Sequence, residues 1–171
     1  MSSLFSSEIG LIHFVASILA LILGTAVLIM TKGSKSHIRM GYFYVASMVV
    51  LLVTAFMLYN LFGKWGIFHY FAVISSVTLA LGMIPIFLRN HIKNWAYLHF
   101  SFMYWSVIGL YGAFVSEMMT RIPEVPFYNM VGVATGGVML FGGILFGINK
   151  AKWMKIMGAI SKQSKSKGEF A

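Results

Sequence analysis

Five histidines, at positions 13, 37, 69, 91 and 99, are the residues of this chain best suited to chemistry, together with a glutamate–arginine pair at Glu117 and Arg121. No cysteine accompanies them. Disulfides, thiolate-bound zinc, iron–sulfur clusters and covalently attached c-type haem are therefore excluded. What remains is imidazole nitrogen, carboxylate oxygen and the thioether of 13 methionines. Imidazole is the versatile group among these: it hydrogen-bonds, carries protons near neutral pH and ligates metals. Which of these it does here depends on the depth at which each ring is held.

The elements that set the depth are apolar runs. The chain has 171 residues, 59% hydrophobic and 10% charged, more apolar surface than a soluble domain of this size can bury. Lipid must be its solvent. Runs of roughly 20 residues predict five transmembrane helices at about 11–31, 38–61, 67–88, 96–118 and 128–148. Together they form one membrane domain over 1–148, followed by a basic tail over 149–171. Short links make successive helices antiparallel.

Charge then orients the bundle. Of the 13 Lys and Arg residues, all but Lys64 and Arg121 lie in the first link with Arg39, the third link, or the tail. The positive-inside rule puts these in the cytoplasm and the N-terminus outside. The net charge of +9 thus belongs to the membrane border, and no nucleic-acid partner is expected. Glu8 ahead of the first span, with no basic stretch before it, reads as a retained helix rather than a cleaved signal. In the tail, Trp153, Met154, Met157 and Ile160 among lysines read as an interfacial helix on anionic lipid, or equally as a basic tail that sets topology.

On this topology the histidines fall at two levels. His13 and His69 lie near the outer ends of helices 1 and 3; His37 and His99 lie near the inner ends of helices 2 and 4. His91 is left over in a charged link, where a solvated role suffices. Imidazoles on facing helices can ligate a haem iron from both sides. Two staggered pairs would hold two b-type haems, with irons on the order of 20–30 Å apart along the membrane normal. Mostly small residues share the faces of the four rings: Ser17, Ala20 and Gly24 with His13; Ala72, Ser76 and Ala80 with His69; Gly41, along with the larger Tyr44, with His37; Ser106 and Ala113 with His99. Such stripes also serve ordinary helix packing in lipid. Met83 or Met103 are alternative axial ligands.

Glu117 lies 18 residues after His99, five turns along the same helix, and Arg121 follows at i+4. The pair reads either as a helix-end ion pair or as a site. In the second reading Arg121 meets a haem propionate, while Glu117, with Glu8 and Glu124, offers hard oxygens to an external ferric ion. Lys35 and Arg39 are the matching propionate candidates inside. Helix 5 has no histidine but spaces Gly132, Gly136, Gly143 and Gly147 as two GxxxG pairs, a close-packing face for the core or for a homodimer. Pro85 is expected to kink helix 3.

At "TKGSKSHIRMGYFYVASM" and "HFSFMYWSVIGLYGAFVSEMMTRIP" the sequence resembles a bacterial family of small inner-membrane proteins known as domain of unknown function 2306. The likeness runs over about residues 10–147 and takes in His13, His69, His99, Ser106, Glu117 and Arg121. It departs at Ile38, where a basic residue is expected, and at Phe102, where a tryptophan is. Some members look like ferric reductases that assist ferrous iron uptake, which implies a haem-type redox role in the bacterial inner membrane. The ligand layout is also similar to di-haem transmembrane cytochromes b.

The expectation is therefore an all-α membrane protein with a four-helix haem-binding core and a fifth Gly-rich helix. It would take electrons from a cytoplasmic donor or a membrane quinol and pass them through two haem b groups to ferric iron or its chelate outside. Two other readings use the same residues: a histidine-lined metal or proton transporter or chaperone, and a scaffold subunit of a respiratory complex.

Overall fold

In lipid an apolar run must satisfy every backbone N–H and C=O within the chain, and a helix does so. The computed structural model describes residues 8–58, 65–120 and 126–168. It contains α1 (Glu8–Ile29), α2 (Lys35–Met57), α3 (Ile67–Phe87), α4 (Trp95–Met119) and α5 (Phe127–Gly168). All five are long and apolar enough to cross a membrane. The protein is an all-α membrane protein of five candidate spans. It comprises two compact units, Met1–Ser76 and Val77–Ala171.

In the first unit α1 and α2 form a hairpin whose turn is built from the link between them. Lys32 Nζ donates to the carbonyls of Val27, Leu28 and Met30, closing the C-terminus of α1. Gly33 turns the chain at φ 76°, a backbone angle that side chains rarely tolerate. Ser34 then caps α2, its hydroxyl accepting from the His37 N–H at 3.1 Å. That cap starts α2 at Lys35, three residues before the expected 38. The two helices meet through small residues of α1 (Ser17, Ala20, Gly24) and larger ones of α2 (Tyr44, Met48, Leu51). The outer faces keep Ile22, Ile29, Phe43 and Val53 exposed, as a lipid-facing surface requires.

In the second unit α4 and α5 pair. Gly142 sits under Ile108 so closely that a Cβ there would lie 2.6 Å from Ile108 Cγ2, and its carbonyl accepts from the Tyr104 hydroxyl at 2.8 Å. At the other end buried Ser116 donates to Gly112 O at 2.7 Å. Its hydrogen thus committed, it accepts from Thr135 Oγ1 at 2.7 Å. Such interhelical bonds hold helices where lipid supplies no hydrophobic drive. The glycine that α4 packs on is thus Gly142. Of the expected GxxxG positions, a Cβ at Gly143 would lie 3.8 Å from the Trp105 ring, whereas one at Gly132, Gly136 or Gly147 would meet nothing within 4 Å.

The largest departure from expectation is α5. It does not stop near 148 but continues for 42 residues, because "KAKWMKIMGAISKQ" contains no proline and is rich in good helix formers. Nor do all the apolar tail residues face lipid. Trp153 packs edge-on against Phe100 at 4.9 Å and lies 5.3 Å from Tyr104 and 5.6 Å from Phe146. Met157 is buried, and so is Ser161 one turn on. Met154 remains exposed, as expected.

Candidate functional site

Helix α4 carries His99 on its second turn, facing α3. Its Nδ1 lies 2.7 Å from the carbonyl oxygen of Gly82. A carbonyl only accepts, so Nδ1 holds the proton and the neutral ring presents its lone pair at Nε2. This is the tautomer a metal-ligating histidine needs, with a backbone carbonyl fixing the ring. Gly82 is available because α3 has no side chain there: Met103, one turn after His99, places its sulfur 2.6 Å from where a Cβ would stand. Pro85, inside α3, removes the N–H that Leu81 O would otherwise meet in the turn beside Gly82.

His13, on the second turn of α1, reaches the same tautomer through a different partner. Its Nδ1 is 3.1 Å from Thr54 Oγ1 on α2. The Thr54 hydroxyl already donates to the carbonyls of Val50 and Leu51, at 2.8 and 2.9 Å. The ring must therefore be the donor, and Nε2 again carries the lone pair.

His69 is held in the opposite sense. The Gly66 N–H donates to its Nδ1 at 3.1 Å, and the His69 N–H bonds back to Gly66 O at 3.0 Å. This is a capping box in which histidine at the third helical position does what glutamate or glutamine usually does. Trp65 stacks on the ring with centroids 5.6 Å apart and lies 6.4 Å from Phe56 of α2. With Nδ1 accepting, the neutral ring carries its proton on the buried Nε2. His69 therefore lies at the α2–α3 end of the first unit, the end where Thr54 meets His13. Its bonding, however, is that of a helix cap, and ligation through Nε2 requires the Gly66 bond to open.

His37 belongs to the first unit and His99 to the second. The His37 ring, at the third position of α2, is partly buried with its Nδ1 inside the protein. The neighbouring Lys35 and Arg39 are exposed, as are His91 and Glu8. Glu117 is half-buried on α4, about 27 Å of regular helix from His99. Arg121 and Glu124 lie outside the described residues, so the Glu117–Arg121 pairing does too. Met83 is half-buried on α3, and the Met103 sulfur is committed to Gly82. Among the described residues no group of three or more histidines and carboxylates could hold a bare metal ion.

A haem asks less of the chain than a bare ion does: one or two imidazole lone pairs and apolar walls. His13 and His99, each pinned through Nδ1, have the tautomer that such ligation uses. Thr54 and Gly82, which orient them, were not singled out from sequence. Both are second partners of a ring, and a sequence shows only the ring. Their signal was the proline-bearing "LGMIPIF" for Gly82 and a hydroxyl amid the apolar "LLVTAF" for Thr54.

No curated protein and no solved structure matches the chain significantly. A family model described as a predicted membrane protein, DUF2306, matches residues 10–151, across all four histidines of the two expected levels. The chain is a member of the DUF2306 family of membrane proteins.

Proposed function

We propose that the protein is a haem-binding membrane cytochrome that moves electrons across the bilayer. The observation that carries the reading is the matched tautomer of two histidines on different helices. His13 and His99 are each pinned through Nδ1, to Thr54 and to the Gly82 carbonyl, so that each neutral ring directs its lone pair to Nε2. Pinning of this kind is what raises ligand basicity and fixes ring orientation at haem and zinc sites. A bare-ion transporter is less well served, because the described residues supply no cluster of three ligands.

In this reading His13 and His99 are the principal iron ligands, His37 and His69 are further candidate ligands, and the full complement is two haem b groups. Bound haem would supply one-electron redox chemistry. The chain supplies the rest. Thr54 and Gly82 hold the ligand protons at Nδ1, and the exposed apolar faces keep water from the span. Lys35 and Arg39 offer positive charge to propionates at the end where α2 begins. The N-terminus is read as outside, on the charge distribution of the links. The acceptor is read as ferric iron at the outer face, taking one electron to become ferrous, with Glu117 as its oxygen ligand. The donor is a cytoplasmic reductant or a quinol.

The test is a spectrum. Protein purified after expression with ample haem should show a Soret band and a sharp α-band on reduction, and His99→Ala should lose about half the haem. A colourless preparation overturns the proposal. If the reduced form is not reoxidised by ferric chelates, the acceptor assignment falls alone. Single cysteines introduced at Glu8 and Asn90 of this cysteine-free chain should label from opposite sides.

A further inference from the structure

The start of α4 is capped from a distance. Its N-cap residue Asn94 makes no side-chain capping bond. Instead the Ala96 N–H, one of the donors that a helix leaves without an internal partner, donates to Ser161 Oγ at 3.3 Å, and the bond is buried. Ser161 is 65 residues away, near the end of α5. Four residues after Trp95, the same helix presents His99.

The register of α4 against α5 shows how the tail arrives there. From Ser116 to Trp105 the helices run side by side, with Ser116 meeting Thr135 and Trp105 meeting Phe146. These are steps of 11 residues on both helices. From there, past the contact of Phe100 with Trp153, α4 travels from Trp105 to Ala96, about 13 Å, while α5 travels from Phe146 to Ser161, about 22 Å. The last third of α5 cannot stay alongside α4; it leans across its N-terminus. A helix of 42 residues is about 63 Å long, twice the bilayer core, so its last third must extend beyond the hydrocarbon, and a lean at this point turns it toward the membrane border.

The two faces of this segment differ. Inward are Trp153, Met157 and Ser161. Outward are Lys150, Lys152, Lys155 and Lys162, with Met154 and Ile156 exposed between them. The link before α4 adds exposed Arg89 and Lys93 in the same unit. Apolar side chains flanked by lysines on a helix lying at the border suit the headgroup region of an anionic bilayer, each lysine gaining from the surface potential.

We propose that residues 150–162 form a strap that anionic phospholipid seats on α4. The lysine face takes lipid phosphates, and the opposite face delivers Ser161 to the Ala96 amide, steadying the turn that carries His99. The strap makes the order of the α4 start depend on lipid charge, and it needs no bound cofactor. It is tested on the full chain in nanodiscs of phosphatidylcholine alone or with phosphatidylglycerol, by amide hydrogen exchange of a peptide covering 94–99. Phosphatidylglycerol should slow that exchange on the order of fivefold. The Lys152→Gln/Lys155→Gln/Lys162→Gln variant should exchange in both lipids at the phosphatidylcholine rate. Ser161→Ala should exchange fast in both. Equal wild-type rates in the two lipids, or a lipid response that survives the triple substitution, overturns the proposal. So does an equal slowing by inorganic phosphate in phosphatidylcholine, which would make the ligand a soluble anion.

Discussion

His99 donates its Nδ1–H to the carbonyl of Gly82 at 2.7 Å, and Met103 from the next turn of the same helix fills the space that Gly82 leaves. One glycine thus sets both the ring's tautomer and the closeness of approach. In Gly82→Ala the new Cβ would lie 2.6 Å from the Met103 sulfur and 3.2 Å from its Cγ, so the Met103 side chain must move away from the contact beside His99. The expected cost is about 1–3 kcal/mol. It should appear as a lower melting temperature together with weakened haem retention. Shortening the partner, in Gly82→Ala/Met103→Ala, should recover part of the haem retention. If the single substitution leaves both readouts unchanged, the contact is not the one that positions His99.

Thr54 makes the corresponding test in the first unit. Its hydroxyl receives the His13 Nδ1–H while donating into its own helix. Thr54→Ser keeps the oxygen and should behave as wild type. Thr54→Val keeps the shape and removes the acceptor, leaving a ring donor in a dry interface at a cost of about 1–3 kcal/mol. Because the ring is then free to take either tautomer, the absorption spectrum of reduced protein should broaden or lose intensity in Thr54→Val alone. Identical spectra for the serine and valine variants would remove Thr54 from the proposal.

His69 separates a cap from a ligand. Glutamine is the ordinary residue at the third position of a capping box, so His69→Gln can still accept the Gly66 N–H. That variant should fold with a melting temperature close to wild type, whereas His69→Ala should lose about 0.5–2 kcal/mol with the cap. Haem content decides the chemistry. If His69→Gln keeps the full complement, the outer site is held by His13 without an imidazole from α3. If it loses about half, the Gly66 bond opens when iron binds.

How much of this was legible in the sequence follows from where each signal resides. The five spans could be read because lipid leaves a chain only helices, and apolar length reports them directly. The end of α5 could not, because hydropathy marks where a helix leaves lipid and not where it stops. "KAKWMKIMGAISKQ" changes solvent at about Lys150 without changing its backbone preference. The four rings were visible as residue types. Their tautomers depend on a carbonyl, a hydroxyl and an amide contributed by Gly82, Thr54 and Gly66, and a backbone group has no letter of its own. "KGSKSH" looked like a charged border. Its details are turn chemistry: Lys32 closing one helix, Gly33 at positive φ, and Ser34 opening the next.

That turn gives a pH dependence whose sign can be worked out. Lys32 donates to three carbonyls at the C-terminus of α1, and burial lowers its pKa below the ordinary lysine value. A lowered value in the folded state means that folding costs the ammonium something at neutral pH. As pH rises from the lowered value toward the ordinary one, the folded protein releases the proton first, so stability is gained across that window. The neutral amine still has hydrogens to donate to the carbonyls. The melting temperature of the wild type relative to Lys32→Gln should therefore shift in favour of the wild type as pH rises toward the ordinary lysine value. Lys32→Arg, which cannot lose its proton in this range, should show no such shift. A wild-type advantage that shrinks toward alkaline pH would mean that the charge itself, attracted by the carbonyl end of α1, outweighs the cost of burying it.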